Sequence, residues 1–189
     1  MPTYIIALMQ YTNPILFQGV GFSNISPVFP VFLFTFVYPV IAVLLLKKLD
    51  FIDSFEMAES KQRIIPMVIA IILYVWMYLI FKSKSFPPIT KVFMLGTIIS
   101  LFLSFVINVF HKLSLHMVGI SGALTIIMLL LLVSENDMSY YFLAIVLLTG
   151  AVATARLYLN AHTMKEVYTG FLVGMFGQVL GLILSQSGI

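Results

Sequence analysis

The chain contains no cysteine. That excludes disulfides, thiolate catalysis and cysteine-ligated metals, and it leaves the compartment open. Charge is also scarce. Asp, Glu, Lys and Arg make up 9% of the 189 residues, where a water-soluble domain carries roughly a quarter. So little polar surface cannot cover a water-exposed globule of this size, and with 61% hydrophobic residues and a mean hydropathy of +1.11 the apolar side chains must face lipid. No Lys or Arg precedes Lys47, so the basic n-region of a secretory signal peptide is missing and the first apolar segments are expected to be retained. The net charge of +3 is small and the ten basic residues are scattered among loops, which argues against a nucleic-acid partner. These absences leave an integral membrane protein whose first partner is the bilayer.

A helix crossing the ~30 Å hydrocarbon layer needs about 20 apolar residues. Uncharged runs of that kind occur at Val28–Leu46, Ile64–Phe81, Val92–Phe110, Met117–Val133, Met138–Ala155 and Val167–Leu184. The runs are continuous rather than alternating, so they predict helices and not barrel strands. The expected fold is all-α: a polytopic membrane helix bundle with six core transmembrane helices over residues 28–189, preceded by a hydrophobic N-terminal segment, 1–27. That segment is interrupted by Gln10, Asn13, Pro14, Gln18 and Gly21, and a seventh span, a re-entrant piece and an interfacial helix are all open to it. The connections are short. Lys47–Arg63 carries mixed charge, Pro87 and Pro88 mark a turn, and Ser134–Asp137 is a tight polar turn.

Alternation of the spans brings distant residues to one face of the membrane. If the span at Ile64 starts on side A, then Lys61, Arg63, His111, Lys112, Ser114, His116, Arg156, His162, Lys165 and Glu166 all emerge there, with all three histidines among them. Ionisable groups at the ends of apolar spans suggest a site. His162 and Glu166 are four apart and share a helix face. A carboxylate so placed can accept the proton of one imidazole nitrogen and leave the other basic, the arrangement of a nucleophile with its orienting group. Arg156 offers a planar fork suited to phosphate oxygens, His116 a proton donor near neutrality, and Ser114 a neutral donor at a helix start. Two histidines, an arginine and further basic groups without a thiol point to phosphoryl transfer.

The same residues resemble motifs of the type 2 phosphatidic acid phosphatase family, whose members resemble vanadium haloperoxidases in their active site. The family's third motif, S-R-x5-H-x3-D-V-x-x-G, is matched by Ala155, Arg156, five residues, His162, three residues, Glu166, Val167 and Gly170. The second, P-S-G-H, is matched by Leu113, Ser114, Leu115 and His116. Motif order and six core spans fit as well, so the resemblance covers roughly Val28 to Leu184. It implies that His162 forms a phosphohistidine, that Glu166 orients it, that His116 protonates the leaving group, and that Arg156 and Ser114 hold the phosphate. It implies no metal and no other cofactor. The sequence departs from the pattern at Ala155 for serine, Glu166 for aspartate and Leu115 for glycine. In the first motif, K-x6-R-P, Ile65 stands before Pro66 where arginine is expected, so either Lys61 or Arg63 takes up that role from the preceding turn.

The leading expectation is therefore a metal-independent lipid phosphatase acting on a lipid phosphate or diphosphate. The alternatives are a non-catalytic lipid-phosphate binder or translocator, and a bundle whose polar residues only tie helices together. His111 reads as a helix-end residue, and Lys112 and Lys165 read as interfacial anchors. Glu56 and Glu59 with the histidines lack metal-ligand spacing. The pairs Gly170–Gly174 and Gly177–Gly181 should permit close helix packing, within the chain or in a homodimer. Basic residues favour side A by seven to three, which alone would make that side cytoplasmic; without the three candidate phosphate ligands the count is four to three. The resemblance to bacterial family members implies an inner-membrane protein with its site facing outward.

Overall fold

The computed structural model describes residues 2–18, 26–55, 57, 60–83, 86–133 and 136–186, and every regular element among them is helical. A short helix, α1 (Pro2–Thr12), comes first. Six helices long and apolar enough to cross a membrane follow: α2 (Val28–Lys48), α3 (Lys61–Ser83), α4 (Pro88–Phe110), α5 (Leu115–Leu132), α6 (Ser139–Tyr158) and α7 (Met164–Gln186). They cover the six apolar runs of the sequence to within one residue at any end, as in a multi-pass membrane protein. Large side chains such as Trp76, Phe102, Leu147 and Phe176 are exposed on their outer surfaces, where lipid would take the place of a protein partner.

Local chemistry sets the ends of these helices. Pro88 opens α4, where its missing N–H and fixed φ suit the first turn. Asp137 accepts a 2.9 Å bond from the Ser139 amide at the start of α6. In α2 the helix widens to a π-type turn at Leu33–Val37, just before Pro39. Proline has no N–H to give the carbonyl four residues back. That carbonyl, of Thr35, accepts instead from the Tyr74 hydroxyl at 3.4 Å, so the proline defect becomes a tie between α2 and α3.

At about 1.5 Å rise per residue, the eleven residues of α1 extend about 16 Å, roughly half the hydrocarbon thickness. Its C-terminal end is at the face opposite side A, called side B, where the Asn136 side-chain amide donates to the Thr12 carbonyl at 2.7 Å. Its other end lies inside the bundle: Pro2 lines an interior cavity of about 230 Å³ with Tyr74, Phe93 and Gln178. Ile5, Ile6 and Met9 are buried. The described part of the N-terminal segment thus enters the bundle without crossing it; residues 19–25 lie outside the described residues.

Helix α7 is central and packs along both α4 and α5. Its small residues let backbones approach. A Cβ at Gly181 would stand 2.6 Å from the Gly96 Cα, and one at Gly177 would meet Ser100 at its amide, 2.9 Å away, and its hydroxyl. Gly174 is pressed against Val118 and Ser121 of α5. The glycines expected to serve packing within the chain or in a homodimer are therefore taken up by contacts within the chain. Buried serines and threonines in these helices bond back to carbonyls in the preceding turn, as Ser100 does to Gly96 (2.9 Å) and Thr125 to Ser121 (2.9 Å).

Gly150 has nothing within 4 Å of an added Cβ and provides the control. Gly177→Ala is expected to cost about 1–3 kcal/mol by overpacking, read as a lower melting temperature in detergent. Gly150→Ala should be neutral or stabilise by up to about 1 kcal/mol.

Candidate functional site

The segment between α6 and α7 reverses the chain in five residues, and its backbone explains how. Asn160 has φ 51°, the left-handed region that asparagine tolerates better than most residues. The Ala161 amide bonds to the Arg156 carbonyl at 3.2 Å and the Asn160 amide to the Leu157 carbonyl at 3.0 Å, the paired bonds of a Schellman motif. Two residues later α7 begins with a capping box. The Glu166 amide donates to Thr163 Oγ1 at 3.4 Å, and the Thr163 amide donates to Glu166 Oε2 at 3.2 Å. The spacing from Arg156 to His162 is thus that of one helix stop followed at once by one helix start.

Glu166 has a second partner. Its Oε2 accepts a 2.7 Å hydrogen bond from His162 Nδ1, and the two side chains are only 7% (His162) and 20% (Glu166) exposed. A carboxylate can only accept, so the proton sits on Nδ1 and Nε2 keeps its lone pair. Burial holds the imidazole below its ordinary value, against the opposing hydrogen bond and charge of Glu166, while the charges of Lys112 and Arg63 add to the lowering. His162 is therefore neutral near pH 7, the form in which it can act as a nucleophile.

The other half of the site precedes α5. Leu113 is fully buried beside Val118 and Val173, which anchors the segment. Ser114 donates its amide to the Glu166 carbonyl at 3.2 Å. Gly170, one turn along α7, meets the same residue: a Cβ there would stand 2.5 Å from the Ser114 carbonyl oxygen. This glycine thus allows the segment before α5 to dock on the start of α7.

Both segments open on a cavity of about 860 Å³ on side A. His116, His162, Arg156, Arg63 and Lys112 all line it, and His116 is within electrostatic reach of Arg156, His162 and Arg63. Apolar side chains line it as well: Pro39 and Val43 from α2, Phe55, and Met67 and Ala70 from α3. Arg63 is held by Nε to the Met57 carbonyl at 2.8 Å and by Nη1 to the Leu113 carbonyl at 3.4 Å. Among the described residues, three buried side-chain polar atoms lack a hydrogen-bond partner: Ser114 Oγ, Arg156 Nε and, deeper between α4 and α7, Gln178 Oε1. A cationic cavity with two unpartnered polar atoms, one on a lining residue and one on the residue two before His116, suits an anion with several acceptor oxygens.

Of the residues expected at the site, the structure brings together His162, Glu166, His116, Arg156 and Arg63, with Ser114 buried just behind them. Arg63 lines the cavity. Lys61 is exposed and does not line it, and His111 and Lys165 are likewise exposed. Lys112, expected as an interfacial anchor, lines the cavity and donates to the Ala161 carbonyl at 3.2 Å. Its position two residues before Ser114 was the signal that could have found it. Glu56 and Glu59 lie outside the described residues. Comparison with protein-family models, curated proteins and solved structures finds no match for the chain.

Glu166→Gln keeps the capping box but removes the charge that raises the imidazole pKa. NMR titration should find His162 below the ordinary value of about 6.5 in the wild type and lower still in the variant; a rise in the variant would contradict the assignment. Because the folded state disfavours the imidazolium, this group's contribution to stability is complete above the unfolded pKa near 6.5 and is lost as pH falls from there through the lower folded value.

Proposed function

We propose that the chain is a membrane phosphatase that hydrolyses a lipid phosphate or diphosphate through a phosphohistidine on His162. The observation that carries this reading is one cavity lined by a neutral, carboxylate-oriented histidine, a second histidine and a cluster of cations. The resemblance in the second and third motifs supports it independently of that geometry. In-line attack by His162 Nε2 forms a P–N bond as the P–O bond to the lipid breaks, and His116 gives its proton to the departing oxygen. Arg156, Arg63 and Ser114 hold the phosphate oxygens as charge spreads over them. A water then gives its proton to His116 and attacks phosphorus, the P–N bond breaks, and inorganic phosphate leaves. The apolar lining from α2 and α3 suits a substrate whose headgroup sits in the cavity while its tail stays in the bilayer.

One observation favours a second reading. Leu115, which stands where the family has glycine, lines the cavity beside His116. That bulk suits a protein that holds lipid phosphate without turning it over.

Purified protein supplied with phospholipid and polyprenyl phosphates distinguishes the two. The phosphatase reading predicts phosphate release that falls by about 10⁴-fold or more in His162→Ala and by about 10²–10⁴-fold in His116→Ala. Equal release from wild type and His162→Ala would sink it, and saturable binding without release would favour the second reading.

We place the site on the outward face of a bacterial inner membrane, following the resemblance. The chain has no cysteine, so a single introduced one reports its side cleanly. Tyr158→Cys on side A should react in intact cells with a membrane-impermeant maleimide, and Tyr140→Cys on side B should not; both positions are highly exposed. The reverse pattern would place the site inside.

A further inference from the structure

We infer that Lys112 binds the substrate phosphate with Arg63, supplying the second basic group that the altered first motif lacks. This rests on the phosphatase reading of the site. Ile65, at the place where arginine is expected, is 42% exposed on α3 and does not line the cavity. Lys61 does not line it either. The connection between α4 and α5 brings in Lys112 instead, and its half-buried ammonium group lies against the loop that carries His162.

The charges and donors at the site support the assignment. Among the described residues the only contact between a basic side chain and a carboxylate is His162–Glu166, so no described carboxylate pairs with Lys112, Arg63 or Arg156. Three fixed cations and the proton-carrying His116 outnumber one carboxylate, so the cavity is net positive and suits a phosphate monoester dianion. Lys112 has three N–H donors and gives one to the Ala161 carbonyl. The other two are available to a phosphate beside His162. The bond to Ala161 fixes the amine relative to the nucleophile, so one residue ties down the loop and contacts the ligand. Its charge also acts on His162, as expected of a group close to the same reaction centre.

Lys112→Gln and Lys112→Arg separate the two roles, since glutamine retains an N–H donor without charge and arginine retains both. Inorganic phosphate binding by calorimetry in detergent should weaken about 10–100-fold in Lys112→Gln and stay within about threefold in Lys112→Arg. For lipid phosphate hydrolysis, KM should rise in Lys112→Gln more than kcat falls. Wild-type phosphate affinity in Lys112→Gln would overturn the assignment and reduce Lys112 to a latch on Ala161. A second measurement needs no variant: inorganic phosphate should protect Lys112 of the wild type from acylation by an amine reagent, and equal labelling with and without phosphate would also overturn it. If the wild type neither binds phosphate nor turns over lipid phosphate, the phosphatase reading fails with it. If His162→Ala abolishes turnover while Lys112→Gln changes nothing, only the Lys112 assignment fails.

Discussion

Gly170 allows the first turns of α7 to rest against the Ser114 carbonyl, and the arrangement of the whole side A cavity depends on that approach. Two stretches more than fifty residues apart in sequence become one unit there, joined by the bond from the Ser114 amide to the Glu166 carbonyl. The contact is possible because α7 has glycines where its backbone comes closest to its neighbours: Gly170 and Gly174 toward α5 and the segment before it, Gly177 and Gly181 toward α4. In lipid, where apolar side chains gain little by leaving one apolar surface for another, close backbone packing is a main source of helix association. The same packing that holds the bundle together therefore positions the site.

Glu166 joins the fold to the chemistry. As the third residue of a capping box it starts α7, and as the partner of His162 Nδ1 it sets the tautomer of the proposed nucleophile. Glutamate suits both tasks, because it is the usual residue at the third position of such a box. Apolar side chains from α2 and α3 line the same cavity, so its lining is divided between charged and greasy groups. A molecule with a phosphate at one end and hydrocarbon at the other matches that division.

Much of this was legible in the sequence, because each signal rests on a local rule. Six long uncharged runs predict six spanning helices, and the six helices cover them to within one residue at any end. The four-residue spacing of His162 and Glu166 predicts a shared helix face, and the pair is in contact. Alternation of spans was enough to put His116, Arg156 and Arg63 on one side, and they share a cavity. What escaped depends on tertiary direction. Lys61 and Arg63 are two residues apart, so only the fold could decide that the first faces solvent and the second the cavity. Lys112 carries no periodic signal, since it sits in an extended segment whose course depends on the burial of Leu113 and the docking of Ser114. The course of α1 was open because its termination near Thr12 and its contact with Asn136 involve residues far apart in sequence.

The central claim is that phosphorus is transferred to His162 before water takes it. That claim has a stereochemical signature independent of any variant. A substrate chiral at phosphorus through oxygen isotopes or sulfur, hydrolysed in labelled water, undergoes two in-line displacements by this route. The account predicts net retention of configuration in the released phosphate; inversion would mean a single direct attack by water and would contradict a covalent role for His162.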